Sequence, residues 1–353
     1  MSSTALVTGG SGFLALHVID VLLSKGYTVA ATFRSKEKAE PVIANFYKKY
    51  PSLAKDQLTY RIIKDIVNKE EFDELFKADK SIKYVIHTAA NVSPDEGKSL
   101  EDAFLKPARD GTLNVLKSVY ENAPQVKNVV ITSSFVAILN FDKFGDPTFI
   151  HDENTWNPLE WDSPLNNNGL FAYVIAKTIA EKLAWKFVED KKPNFTLTAV
   201  NPPYIFGPQL FDDALAKGSL NQSAEQVHRL TKTTPKDDEK PEQFYQNPSI
   251  GVDVRDVALF HVLPLENPKL QGVRELVTSG YTSDQQNLNI INENFPELNG
   301  KIAKGTPGAV DQLNKAGAFY NADLTLERAG VTLIPIEKTI VDAVQQILDY
   351  QKK

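Results

Sequence analysis

Apolar residues along this chain fall into two alternating rhythms. Short runs rich in β-branched residues occupy 5–8, 28–33, 58–64, 84–88, 128–133 and 196–201. Between them, at 13–25, 37–49, 70–77, 103–123 and 173–190, apolar positions recur at spacings of three and four. A short apolar run suits a strand covered on both faces, and the three-and-four spacing suits a helix with one covered face. Their alternation predicts parallel strands joined by right-handed helical crossovers, an α/β fold of the Rossmann-type doubly wound kind.

The rhythm breaks after Asn201, where Pro202, Pro203, Gly207 and Pro208 punctuate the chain. A smaller C-terminal α+β lobe is expected from there. The predicted division gives 1–202 with 246–279 to a discontinuous dinucleotide-binding domain, and 203–245 with 280–353 to a substrate-binding lobe. Residues 231–244 (TKTTPKDDEKPEQF) are charged and lack an apolar period. They read as a mobile surface loop, a connector or a lid. A last helix at 336–350 carries Ile336, Ile340, Val341, Val344, Ile347 and Leu348 on one face.

The first strand runs into Gly9-Gly10-Ser11-Gly12-Phe13-Leu14-Ala15, after which helical spacing takes over. A pyrophosphate needs backbone N–H groups at a helix N-terminus and no Cβ where the chain turns or the anion approaches. Gly9 and Gly12 supply those positions, and Ala15 lets the helix lie close to the sheet. The second strand ends in Arg34, with Lys38 a turn further on, where an NAD-type site would carry an acid. Two cations there suit a 2′-phosphate, so the predicted cofactor is NADPH/NADP+. Asp65, ending the third strand, reads as an acceptor for the adenine amino group or as a solvated turn residue.

Tyr173-Val-Ile-Ala-Lys177 places a phenol and an ammonium one turn apart on a helix. Tyr60 and Lys64 share that spacing, but in a strand-like context. A phenol titrating near 10 needs a neighbouring cation to serve as an acid at neutral pH. Lys177 would be that cation and Tyr173 the proton donor. The fifth strand ends in Thr132-Ser133-Ser134 at the carboxyl edge of the sheet, where Ser134 would orient a carbonyl and Ser133 point to the other side.

In order along the chain stand TGGSGFLA, RSKEK, HTAA, ITSS, YVIAK, AVNPPYIFGPQ and VDVRDVA. Together these motifs resemble the extended short-chain dehydrogenase/reductases. More narrowly they resemble the fungal NADPH-dependent methylglyoxal and isovaleraldehyde reductases, relatives of plant dihydroflavonol reductase and cinnamoyl-CoA reductase. The resemblance implies that Gly9, Gly12, Phe13 and Leu14 line the pyrophosphate, Arg34 and Lys38 the 2′-phosphate, and Asp65 with Ile66 the adenine. It implies that Ala89 and Thr132 pass beside the ribose and nicotinamide, with Tyr173, Lys177 and Pro202 also at the cofactor. Ser134, Tyr173 and Lys177 match the catalytic residues, and Tyr204 borders the substrate. Two departures fall where substrate would sit: the family's HTASPF reads HTAANV here, with Asn91 and Val92, and Phe135 replaces a tyrosine after the serines.

Composition narrows the alternatives. The net charge of −6 argues against a nucleic-acid partner. No apolar stretch reaches the roughly 20 residues of a membrane helix. The chain has no cysteine, and its five histidines are scattered, so neither thiol chemistry nor a metal site is expected. Ser11 fails the hydrolase elbow at Phe13. Asp253, Arg255 and Asp256 read as structural charges at a helix start. An apolar run beginning by residue 5 leaves no room for a leader, which predicts a cytoplasmic enzyme acting on a small carbonyl compound as a monomer or homodimer. The competing readings are a nucleotide-sugar epimerase or dehydratase on the same fold, and a non-catalytic NADP(H)-sensing regulator.

Overall fold

The computed structural model describes residues 3–89, 97–165, 168–245 and 249–353. Its strands are β1 (Thr4–Thr8), β2 (Thr28–Phe33), β3 (Leu58–Ile62), β4 (Ile82–His87), β5 (Asn128–Thr132), β6 (Thr196–Asn201), β7 (Tyr204–Phe206), β8 (Ser249–Asp253), β9 (Arg274–Leu276) and β10 (Gly280–Thr282). The α-helices of the first part are α1 (Phe13–Ser24), α2 (Lys36–Lys49), α3 (Lys69–Ala78), α4 (Lys106–Asn122) and α5 (Gly169–Lys191). Those of the later part are α6 (Asp213–Lys217), α7 (Gln222–Leu230), α8 (Val254–Val262), α9 (Asp284–Asn294), α10 (Val310–Ala316), α11 (Asp323–Ala329) and α12 (Ile336–Gln351). No helix among the described residues is long and apolar enough to cross a membrane.

The chain separates into two compact units. The first holds the described residues up to Leu139, Glu153–Asn201 and Ala258–Leu276, and the second holds Asn140–Asp152, Pro202–Val257 and Val277–Lys353.

All six strands legible in the sequence form one parallel sheet in the first unit, and β9 adds a seventh, in the order β3-β2-β1-β4-β5-β6-β9. The order reverses between β1 and β4, and in such sheets the crevice beyond the carboxyl ends at the reversal is the binding edge. Leu6, Val85, Val129 and Leu197 from the strands pack with Phe72 and Phe76 of α3, Val115 and Val119 of α4, and Ala184 of α5. The fourth predicted helix is divided: a π-helical turn, Glu101–Leu105, precedes α4. Pro107 stands in the first turn of α4, where its missing N–H costs no helical hydrogen bond.

The second unit is built around the small sheet β10-β8-β7, with Phe206, Val227, Leu288, Ile340 and Val344 at its core. The reading of 231–244 as a free surface loop is corrected here. Two 3₁₀ turns, Pro235–Glu239 and Pro241–Tyr245, organise it, and Thr234 and Asp237 cap the first reciprocally. Phe244 is fully buried, and Asp238 accepts from the N–H groups of Lys304 and Gly305 at 2.8 Å each. One buried ring in a charged stretch leaves no period to read, yet it anchors the segment. The charges at the start of α8 are structural: Arg255 pairs with Asp253 and Asp342, and Asp256 accepts from Ile334 N–H at 2.7 Å.

Candidate active site

The turn after β1 is held from three sides within the first unit. Gly9 has φ +72°, and a Cβ there would lie 3.1 Å from the Ala89 backbone. Gly10 is equally constrained, because a Cβ would meet the buried Phe33 ring at 2.8 Å and the Ala31 methyl at 3.0 Å. The Gly12 N–H donates to Gly9 O at 2.9 Å, and α1 begins with no side-chain cap and no acid in its first turn. Its leading N–H groups keep the positive end of the helix dipole uncompensated, which suits a phosphate. Sequence reasoning assigned this role to Gly9 and Gly12; the close packing of Gly10 against β2 was not legible. Phe13 and Leu14, on the first turn of α1, are half-buried.

Thr8 joins the ends of β1 and β4. Its Oγ1 accepts from Ala89 N–H at 3.1 Å and bonds His87 Nδ1 at 2.9 Å, while its carbonyl accepts from Thr88 Oγ1 at 2.6 Å. Ala89 is thereby fixed against Gly9.

A cleft of about 450 Å³ opens beyond β2 and β3, lined by Arg34, Lys64, Asp65, Ile66 and residues leading into α4. Arg34 is exposed at its wall and has no ion-pair partner among the described residues. Lys38 is exposed on α2 and does not line this cleft. Asp65, at the rim of the cleft, accepts from Val67 N–H at 3.1 Å in an Asx turn. Lys64, Lys98 and Lys106 also line the cleft, a basic contribution that local pattern did not reveal.

Ile66 and Pro107 line a second, narrower crevice as well, and so connect the two. Its walls include His87, Ala89, Thr132, Tyr173 and Lys177. The Lys177 ammonium donates to the carbonyl oxygen of Thr132 at 2.7 Å. Burial holds Lys177 down to about 8, with the Glu181 carboxylate acting in the opposite direction. His87 is driven down to about 4, by burial first and by the Lys177 charge second, so it is neutral at physiological pH. Its presence beneath the lysine was not anticipated.

Ser134 ends the extended segment two residues after Thr132 and caps the 3₁₀ turn Phe135–Ala137, its Oγ accepting from Val136 N–H at 3.3 Å. That turn packs against α5, the helix of Tyr173 and Lys177. Ser133 faces elsewhere, as predicted, donating to Glu181. Phe135 is buried. Pro202 and Tyr204 belong to the second unit, where Tyr204 stacks on Phe206 with centroids 6.2 Å apart. Asn91 and Val92 lie outside the described residues.

A fold and site of this kind define a nicotinamide-dependent oxidoreductase of the short-chain type, and comparison with known proteins agrees. Residues 5–277 match the model of the NAD dependent epimerase/dehydratase family. The chain is 38% identical over 352 residues to the putative NADPH-dependent methylglyoxal reductase GRP2 of Candida albicans, covering 98% of this chain and 99% of that one. It is 35% identical to the NADPH-dependent methylglyoxal reductase GRE2 of Saccharomyces cerevisiae, with 99% of each covered. The crystal structure of yeast methylglyoxal/isovaleraldehyde reductase Gre2 complexed with NADPH superposes with a TM-score of 0.89 at 34% identity, covering 99% of both chains. The chain belongs to the NAD dependent epimerase/dehydratase family, within the extended short-chain dehydrogenase/reductases.

Gly9→Ala is expected to destabilise the protein by about 1–2 kcal/mol through the left-handed backbone alone, with a further loss from the push against Ala89. A urea titration of the variant reads this, and an unchanged midpoint would show that the turn adjusts freely.

Proposed function

We propose that this protein is an NADPH-dependent carbonyl reductase that converts an aldehyde or ketone to the alcohol. The observation that carries the reading is the Lys177 ammonium, anchored on the Thr132 carbonyl in the crevice that Tyr173 also lines. A cation in that place stabilises the phenolate left behind when Tyr173 gives its proton to the carbonyl oxygen. With a pKa of about 8, Lys177 is mostly charged at pH 7. The Ser134 hydroxyl orients the carbonyl, and its hydrogen bond strengthens as negative charge grows on oxygen.

The residues present fit the dinucleotide. Gly9 and Gly10 let the turn pack directly against Ala89 and Phe33, α1 offers its uncapped N-terminus, and Arg34 stands exposed at the wall of an open cleft. These would hold the pyrophosphate and the 2′-phosphate, with Asp65 and Ile66 at the adenine and Ala89, Thr132 and Lys177 toward the nicotinamide end. Bound NADPH supplies the hydride that the carbonyl carbon accepts. Pro202 and Tyr204 would contribute to substrate selection. Methylglyoxal and branched aldehydes, the compounds in the relatives' names, are the first substrates to try.

Tyr173→Phe removes only the ionisable hydroxyl. It is expected to keep NADPH binding within about twofold and to lose on the order of 10²-fold in kcat, followed as NADPH absorbance with methylglyoxal. Wild-type turnover in this variant would refute the assignment. Arg34→Asp is expected to weaken NADPH by about 10–100-fold, the worth of a charge-assisted contact, and NADH far less. Equal losses for the two cofactors in fluorescence titrations would show that Arg34 does not read the 2′-phosphate.

A further inference from the structure

We propose that Glu181 is a positioning residue for the carbonyl reduction, fixing Ser134 through a buried polar hub and supplying the counter-charge to Lys177. The inference rests on the reading of Ser134, Tyr173 and Lys177 given above.

Glu181 stands four residues after Lys177 and eight after Tyr173, on the same side of α5. It is 1% exposed, and its partner Arg274, from β9 at the sheet edge, is 8% exposed. Glu181 Oε1 accepts from Arg274 Nε at 2.6 Å and from Trp185 Nε1 at 3.2 Å. Oε2 accepts from Asn201 Nδ2 at 2.7 Å and from the Ser133 hydroxyl. Asn201 Nδ2 also donates to the Ser134 carbonyl at 3.1 Å. The Arg274 guanidinium lies 3.6 Å over the Trp156 ring and donates to the carbonyl of Ala137 at 3.3 Å. It donates as well to the carbonyls of Glu153 and Thr155, so that with two bonds to Glu181 all five of its N–H groups are engaged.

These bonds converge on one segment. Ser133 is tied by its hydroxyl, Ser134 by its carbonyl and Ala137 by its carbonyl, and every tie leads back to Glu181. Both sides of Ser134 are therefore referenced to the helix that carries Tyr173 and Lys177. A buried ion pair contributes little net stability compared with an apolar pair of the same volume. What it supplies here is direction, because each bond fixes an atom where hydrophobic packing would allow sliding.

The charge has a second effect. His87 from the end of β4 and Tyr173 from the same helix line the crevice with Lys177, and Glu181 stands one turn further along that helix. The neighbouring α4 lends Pro107, Ala108, Gly111 and Thr112 to the crevice, all uncharged, while its Arg109 pairs with Asp110. In the adjoining turn Glu101 and Asp102 pair with Lys106. The 3₁₀ turn Phe135–Ala137 brings no titratable group. Glu181 is thus the carboxylate that favours the ammonium against burial, and removing its charge makes Lys177 lose its proton at lower pH.

The test uses three variants of the full chain: Glu181→Gln, Ser133→Ala as the milder removal of one tie, and Tyr173→Phe as the control for the underlying reading. NADPH-binding stoichiometry, kcat and KM are measured with a carbonyl compound that the wild type reduces, across pH. Glu181→Gln is expected to lower kcat by at least about tenfold, with the NADPH dissociation constant and carbonyl KM within about twofold. Its alkaline limb should move down by about half a pH unit or more. Ser133→Ala should lower kcat about threefold with the limb unmoved. Tyr173→Phe at wild-type turnover would overturn the underlying reading. With Tyr173→Phe inactive, wild-type kcat in both other variants overturns this inference alone. So does a loss of turnover that matches a loss of NADPH-binding sites with the pH profile unchanged, the pattern of a merely structural pair.

Discussion

A lysine ammonium donating to the carbonyl oxygen of Thr132 at 2.7 Å holds the two halves of this site in register. It joins the carboxyl end of β5 to the first turns of α5, the elements that bear the serine hydroxyls and the tyrosine. Thr132 is steadied from another direction by His261, whose Nε2 bonds its hydroxyl at 2.7 Å. Placing a cation in this crevice costs solvation, and the cost appears as the depressed pKa of Lys177. Under the proposed mechanism the compensation is geometric: a charge that cannot wander would stabilise a phenolate at one place on the helix. Neutral His87, locked to Thr8, keeps a second positive charge away from that place.

Much of this was legible because it rests on local regularity. The six long strands show as apolar runs, and the helices as three-and-four spacing, since each is covered by its neighbours in a way that period reports. The Tyr-x-x-x-Lys pair could be separated from its accidental copy at Tyr60 because Tyr60 falls in β3 and Tyr173 in α5. The glycine turn was legible at Gly9, where a positive φ excludes most residues, and only partly at Gly10, whose constraint comes from the distant Phe33.

The hidden features depend on partners far along the chain. Strand β9 is three residues long and begins with Arg274 and Glu275, which look like surface charges and are buried. Glu181 and Arg274 are 93 residues apart and meet only when β9 joins β6. Residues 231–244 look like a solvated loop, and a single buried phenylalanine with one aspartate anchors them. In each case the decisive contact is tertiary, so no period or spacing announces it.

The same sheet serves reductases and epimerases, and the fold alone does not choose between them. This chain carries a cation and no acid at the end of β2, and a phenol and an ammonium line one crevice. The account's central claim, a lysine held cationic but poised by burial, is tested most directly by following the Lys177 ε-carbon resonance through a pH titration of ¹³C-lysine-labelled protein, assigned with Lys177→Arg. A midpoint of about 8 is expected. A midpoint at the ordinary lysine value near 10.4 would contradict it.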